Sequence, residues 1–92
     1  MMFALSQAAS WLGVASAPEW STIIVKRVVT DSRAIQAGDL FIALVGDRFD
    51  GHDFVAQALR DGAVAAVVAH PVADCTGPLL QVDDTLLALG QL

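Results

Sequence analysis

Residues 40–69 read LFIALVGDRFDGHDFVAQALRDGAVAAVVA, and the alternation of character within them decides the fold. Leu40 to Val45 is an apolar run of strand length, stopped by Gly46. After a polar loop, Asp50 is placed to cap a helix, with Asp53 three residues on and close to the positive end of its dipole. Phe54, Val55, Ala58 and Leu59 supply that helix with an apolar face, and Gly62 ends it. Val64 to Ala69 is apolar throughout, as in a strand buried on both faces, and Pro71 stops it. A strand, helix, strand order predicts a parallel sheet with a right-handed crossover. The expected class is therefore α/β, a small three-layer-like domain with a mostly parallel sheet flanked by short helices.

Toward the amino terminus, Ala37-Gly38-Asp39 signals a turn. Thr22 to Thr30 is dense in β-branched residues and predicts one strand that delivers Asp31, Ser32 and Arg33 at its end. Ala15 to Ser21, with Pro18, reads as a connection. Leu5, Ala8, Ala9 and Leu12 recur at helical spacing, with Ser6 placed to cap the helix and Gly13 to end it. Toward the carboxyl terminus, Leu79 to Val82 predicts a short strand. Asp83 or Asp84 then caps a last helix in which Leu86, Leu87 and Leu89 run into the end of the chain, an arrangement that leads us to expect more chain downstream. Trp11, Phe41 and Phe54 are read as core residues, whereas Trp20 fits core or a stacking platform.

A chain of 92 residues that is 55% hydrophobic has room and apolar material for one small domain, taken here as 1–92. No run approaches the roughly 20 residues of a membrane span. The start of the chain lacks a secretory pattern, so a cytoplasmic location is expected. Cys75 is the only cysteine, which excludes an intrachain disulfide. The net charge of −5 disfavours nucleic acid and anionic membrane surfaces as partners. A small anion needs only a local group of Arg and backbone N–H donors.

In an open α/β sheet, ligands bind beyond the carboxyl ends of the strands. Two polar loops emerge there: Thr30-Asp31-Ser32-Arg33, and Gly46-Asp47-Arg48-Phe49-Asp50-Gly51-His52. Each brings one arginine suited to phosphate, along with hydroxyl or N–H donors, and together they can hold a diphosphate. Phe49, an aromatic in a polar loop, suits stacking on a base, and His52 is a candidate ligand contact at a helix start. Asp31 and Arg33 fit equally well a turn and a surface ion pair.

Catalytic signatures are missing. Asp47, Asp50 and Asp53 lack the alternation and closing Glu of a calcium loop. His52, His70 and Cys75 are too far apart in sequence to suggest a zinc site or a Cys-His nucleophile. No Gly-x-x-x-x-Gly-Lys-Ser/Thr loop occurs, and the single lysine, Lys26, falls inside the first predicted strand. We expect no catalytic residue, metal ligand or cofactor site within these residues.

Val29-Thr30-Asp31-Ser32-Arg33, Ala37-Gly38-Asp39-Leu40-Phe41-Ile42-Ala43-Leu44 and Gly46-Asp47-Arg48-Phe49-Asp50-Gly51-His52-Asp53-Phe54 together resemble the amino-terminal domain of the Mur ligases. The likeness continues through Gly62 to Val68 and Val82-Asp83-Asp84-Thr85, and covers roughly residues 23 to 92. It implies a cytoplasmic enzyme of peptidoglycan synthesis, and so of cell-wall biogenesis, cell shape and division. The enzyme would be an ATP-dependent amide ligase with ATP and Mg²⁺ in a central domain and a further carboxy-terminal domain, both absent here. In that picture the present residues bind the UDP-MurNAc part of a UDP-MurNAc-peptide, with Thr30, Asp31, Ser32 and Arg33 in one contact loop and Arg48, Phe49, Asp50, Gly51 and His52 in the other. Within the family, the Arg48 to Phe54 form is most similar to that of the ligases that join D-alanyl-D-alanine to UDP-MurNAc-tripeptide. The preceding tripeptide synthetases share Thr30 to Arg33 and are the competing reading, followed by a free-standing nucleotide-binding or interaction module. Val45 stands where many relatives have lysine, and residues 1–20 carry no diagnostic motif.

Overall fold

A computed structural model describes residues 2–92; Met1, the first residue of the expected domain, lies outside the described residues. Alternation along the central strands builds the fold. Strand β4 (Asp39–Ile42) and strand β5 (Ala65–Val68) are buried along their whole length. Leu40, Ile42, Ala65 and Val67 face one core, whereas Phe41, Ala43, Ala66 and Val68 face the other, as the period of two requires. Helix α1 (Leu5–Leu12) and helix α3 (Thr85–Gln91) cover the first face through Leu5, Ala8, Ala9 and Ala88. Helix α2 (Val55–Arg60) covers the second through Val55 and Ala58. The result is three layers, helix, sheet, helix.

The sheet has four strands in the order β3-β4-β5-β6, with β3 at Arg27–Val29 and β6 at Leu79–Gln81, and all its pairings are parallel. Val28 lies opposite Leu40, Phe41 opposite Ala66 and Val67 opposite Leu80. All four carboxyl ends therefore open on one edge. At the opposite edge Arg27 and Asp39 are partners in register, and their side chains form a two-point ion pair at 2.9 and 2.8 Å. Asp39 is 1% exposed and also accepts the Gln36 N–H at 2.8 Å. Its carboxyl is held below the usual range by the Arg27 guanidinium first, with burial opposing and the Gln36 N–H assisting.

Several local expectations change. Thr22 to Thr30 is two strands: β2 (Ile24–Val25) pairs antiparallel with β1 (Phe3–Ala4) in a separate ribbon, and β3 enters the main sheet. The break falls at Lys26, whose N–H donates to the Gly38 carbonyl at 2.8 Å and so turns the chain from one sheet to the other. β4 ends at Ile42, and Val45 forms an isolated antiparallel bridge with Asp50 instead of extending it. Ser6 lies within α1. The N-cap of the helix is Ala4, whose N–H donates to the Gln7 side chain at 2.9 Å, and its C-cap is Gly13 in the left-handed region, φ 70°. Pro18–Thr22 forms a 3-10 turn within the expected connection. Trp11 is 46% exposed and rests against Phe3 with ring centroids 5.0 Å apart, because the α1 stripe that reaches the sheet is Leu5-Ala8-Ala9. Of the two candidate caps for α3, Asp84 is the one that acts, accepting the Leu86 and Leu87 N–H groups at 3.0 and 3.1 Å. Leu86 and Leu87 themselves are exposed. Among the described residues, no helix is long and apolar enough to cross a membrane.

Candidate ligand cavity at the carboxyl edge

Both polar loops leave the carboxyl edge beside β4 and face one another across a cavity of about 360 Å³. Thr30, Asp31, Ser32 and Arg33 form one wall; Phe49 and Gly51 form the other. Phe41, from the α2 face of β4, and Phe54, at the start of α2, complete the lining. The two loops are thus brought together as the sequence predicts.

The first wall is shaped by a short 3-10 turn at Ser32–Ala34 that follows β3. Asp31 caps it, accepting the Arg33 N–H at 2.9 Å, and the same carboxylate takes the Arg33 guanidinium in a two-point pair at 3.0 Å each. The Asp31 carboxyl is lowered to about 2, by the Arg33 side chain first and its backbone N–H second. One edge of the guanidinium is engaged by Asp31; its remaining N–H groups are free donors. These residues form a solvent-exposed ion pair that also lines the cavity.

The second wall is a tight excursion from β4. The Gly46 N–H donates to the Phe49 carbonyl at 2.9 Å, and the Phe49 ring, 57% exposed, lies over Gly46. Asp50 then caps the 3-10 turn Gly51–Phe54 through the His52 N–H at 2.9 Å. Gly51 touches the sheet end: its N–H donates to the Leu44 carbonyl at 2.7 Å, and a Cβ there would meet the Leu44 backbone at 2.8 Å. Only glycine permits this approach.

Six of the nine expected contact residues line the cavity. Arg48, Asp50 and His52 do not. His52 is 4% exposed and both its ring nitrogens have internal partners, Asp50 and the Ala69 N–H, so it has no free edge for a ligand. Phe41 and Phe54, expected only in the core, are lining residues that sequence reasoning misses. Phe41 is core and cavity floor at once, while Phe54 is 39% exposed. A usable signal is the position of Phe54 four residues after the Asp50 cap, on the turn that faces the first loop.

Sequence distance does not keep the histidines apart, because the fold brings Asp50, His52 and His70 together with candidate ligand atoms within 4.8 Å of one another. The chemistry still does not suit a metal ion. His52 has its lone pair on the Ala69 N–H side and its Nδ1 against Asp50. The His52 and His70 rings stack at 4.0 Å and 18°, so their in-plane lone pairs run alongside each other rather than converging on one point. Nor do the residues present fit ATP. The lone lysine, Lys26, lays its aliphatic stem over Gly38 at the opposite edge of the sheet, and no phosphate loop accompanies it.

A protein-family model described as "Mur ligase family, catalytic domain" matches residues 24–92. UDP-N-acetylmuramoyl-tripeptide--D-alanyl-D-alanine ligase of Escherichia coli (strain K12) is 49% identical over 70 residues, 76% of this chain and 15% of that protein. UDP-N-acetylmuramoyl-L-alanyl-D-glutamate--2,6-diaminopimelate ligase of Streptomyces coelicolor is 45% identical over 93 aligned positions, covering 96% of this chain and 18% of the relative. Among solved structures, MurF from Acinetobacter baumannii superposes with a TM-score of 0.82 at 36% identity, over all of this chain and 20% of that one. The chain spans about 15% of the length of the first curated relatives it matches.

Proposed function

The chain belongs to the Mur ligase family, and from that premise we propose that it is the family's amino-terminal domain, binding the UDP-MurNAc portion of a peptidoglycan precursor. The enzyme it would serve is an ATP-dependent amide ligase that joins D-alanyl-D-alanine to UDP-MurNAc-tripeptide in the cytoplasm. The observation that carries this reading is the cavity framed by both loops. Its lining combines three aromatic rings with one guanidinium, a composition suited to a nucleoside with an anionic tail. Because Arg33 is already paired with Asp31 and Arg48 lies off the wall, the cavity suits the nucleoside part, with the diphosphate leaving past the free edge of Arg33. Phe49 and Phe54 offer ring faces for stacking on the base.

Chemistry is assigned elsewhere. Among the described residues the lone lysine has no phosphate loop beside it, and on this reading the domain's contribution is to anchor the substrate so that the reacting carboxylate is presented to domains that lie beyond it. A second reading is the same domain of a tripeptide synthetase, supported by the 45% identity of the Streptomyces relative over 96% of this chain. It shares the UDP-MurNAc site and differs in the peptide.

The test is a titration of UDP-MurNAc-tripeptide, UDP and ATP into the ¹⁵N-labelled chain, followed through backbone amide shifts. Saturable shifts at Thr30 to Arg33, Phe49, Gly51 and Phe54, larger for uridine compounds than for ATP, are expected. Arg33→Ala should weaken UDP roughly tenfold or more, the range for a lost charge-assisted hydrogen bond. Absence of saturable shifts at millimolar ligand sinks the reading.

A further inference from the structure

His52 joins two segments that are distant in sequence. The Ala69 N–H, just beyond β5, donates to His52 Nε2 at 2.9 Å, which requires a lone pair on that nitrogen. Nδ1 lies 2.6 Å from Asp50 Oδ1, so the single ring proton of a neutral imidazole resides on Nδ1 and is donated to the carboxylate. Asp50 is held ionised below the usual carboxylate range, by the His52 N–H first and the ring second. The His70 ring covers His52 at 4.0 Å, and its own Nδ1 lies 3.0 Å from the Pro71 carbonyl.

We propose that His52 is a positioning residue of the ligand cavity. As the Nδ1–H tautomer it bolts the Gly46–Gly51 loop to the end of β5, and so sets the gap between Phe49 and Gly51 on one wall and Thr30 to Arg33 on the other, without touching the ligand. The burial of the ring, 4% exposed, and the adjacency of Gly51, which does line the cavity, carry the link. A residue that only fills space would tolerate any side chain of similar volume. The bolt needs a donor toward Asp50 and an acceptor toward Ala69 on the same ring.

The proposal rests on the nucleotide-binding reading only for its affinity measurement. In the 92-residue chain with ¹⁵N-labelled histidine, long-range ¹H–¹⁵N correlation at neutral pH should show His52 protonated at Nδ1 and bare at Nε2. A proton on Nε2 overturns the proposal. His52→Asn keeps a donor toward Asp50 and removes the acceptor for Ala69; His52→Gln does the reverse. Both folded variants should bind UDP at least about tenfold more weakly. Faster amide exchange at Ala69 is expected in His52→Asn and not in His52→Gln, and at Phe49 and Gly51 in both. Unchanged UDP affinity in both variants overturns the assignment. If the unmodified chain does not bind UDP, the nucleotide reading falls alone. The tautomer of the unmodified chain and the exchange at Phe49 and Gly51 in whichever variant folds then decide the positioning role.

Discussion

At the scale of single residues, backbone proximity sets the site as much as side-chain chemistry does. Gly51 brings the second loop against the end of β4, and the 2.8 Å that would separate a Cβ at this position from the Leu44 backbone leaves no room for a side chain. Gly51→Ala should therefore push the loop off the sheet, lowering the thermal midpoint and abolishing saturable UDP shifts at Phe49; retention of both would show that the loop adapts. The capping role of Asp50 and the polarity of both loops were legible in the sequence, because they depend on neighbours two or three residues away. The role of His52 was not. Its ring partner Ala69 is 17 positions on, and a histidine at a helix start beside a polar loop has the same local signature whether it faces a ligand or the protein. Phe54 misled for a related reason: helical spacing places it on the apolar face of α2, but the chain there is still a 3-10 turn, which rotates the ring out toward the cavity.

At the scale of elements, buried strands were the most legible feature, since β4 and β5 are apolar almost without interruption and have helices on both faces. The split of Thr22 to Thr30 was not legible. β-branched residues stand on both sides of Lys26-Arg27, a charged pair that fits a strand's exposed face as well as a break, and the Lys26 to Gly38 hydrogen bond marks where the chain leaves the ribbon for the main sheet. Helix α3 offers a test of an end effect. It is seven residues long and is held by Ala88 in the core and by Asp84 at its start. Asp84→Ala should destabilise the protein by about 0.5–2 kcal/mol, read from urea unfolding, with Asp84→Asn close to the parent. Equal losses in the two variants would show that charge, not the capping geometry, matters.

At the scale of the whole molecule, the two edges of the sheet have separate tasks. The cavity-lining loops occupy the carboxyl edge, whereas the Arg27–Asp39 pair closes the amino edge. Because the folded Asp39 carboxyl is depressed, its contribution to stability is complete above the unfolded value of about 3.9 and is lost as pH falls through the folded value. The thermal midpoint of the parent should therefore exceed that of Asp39→Asn at neutral pH, with the gap narrowing below about pH 4; a gap that is constant with pH would assign the effect to packing. The sheet also has a temporal side. Strands β3, β4, β5 and β6 lie side by side in the order in which a ribosome releases them, so each new strand finds its template already made. Parallel sheets are ordinarily slow to assemble because partners are separated in the chain. Here no strand waits for a later one to be inserted between it and its neighbour, and the nascent chain can build its sheet by simple accretion during synthesis.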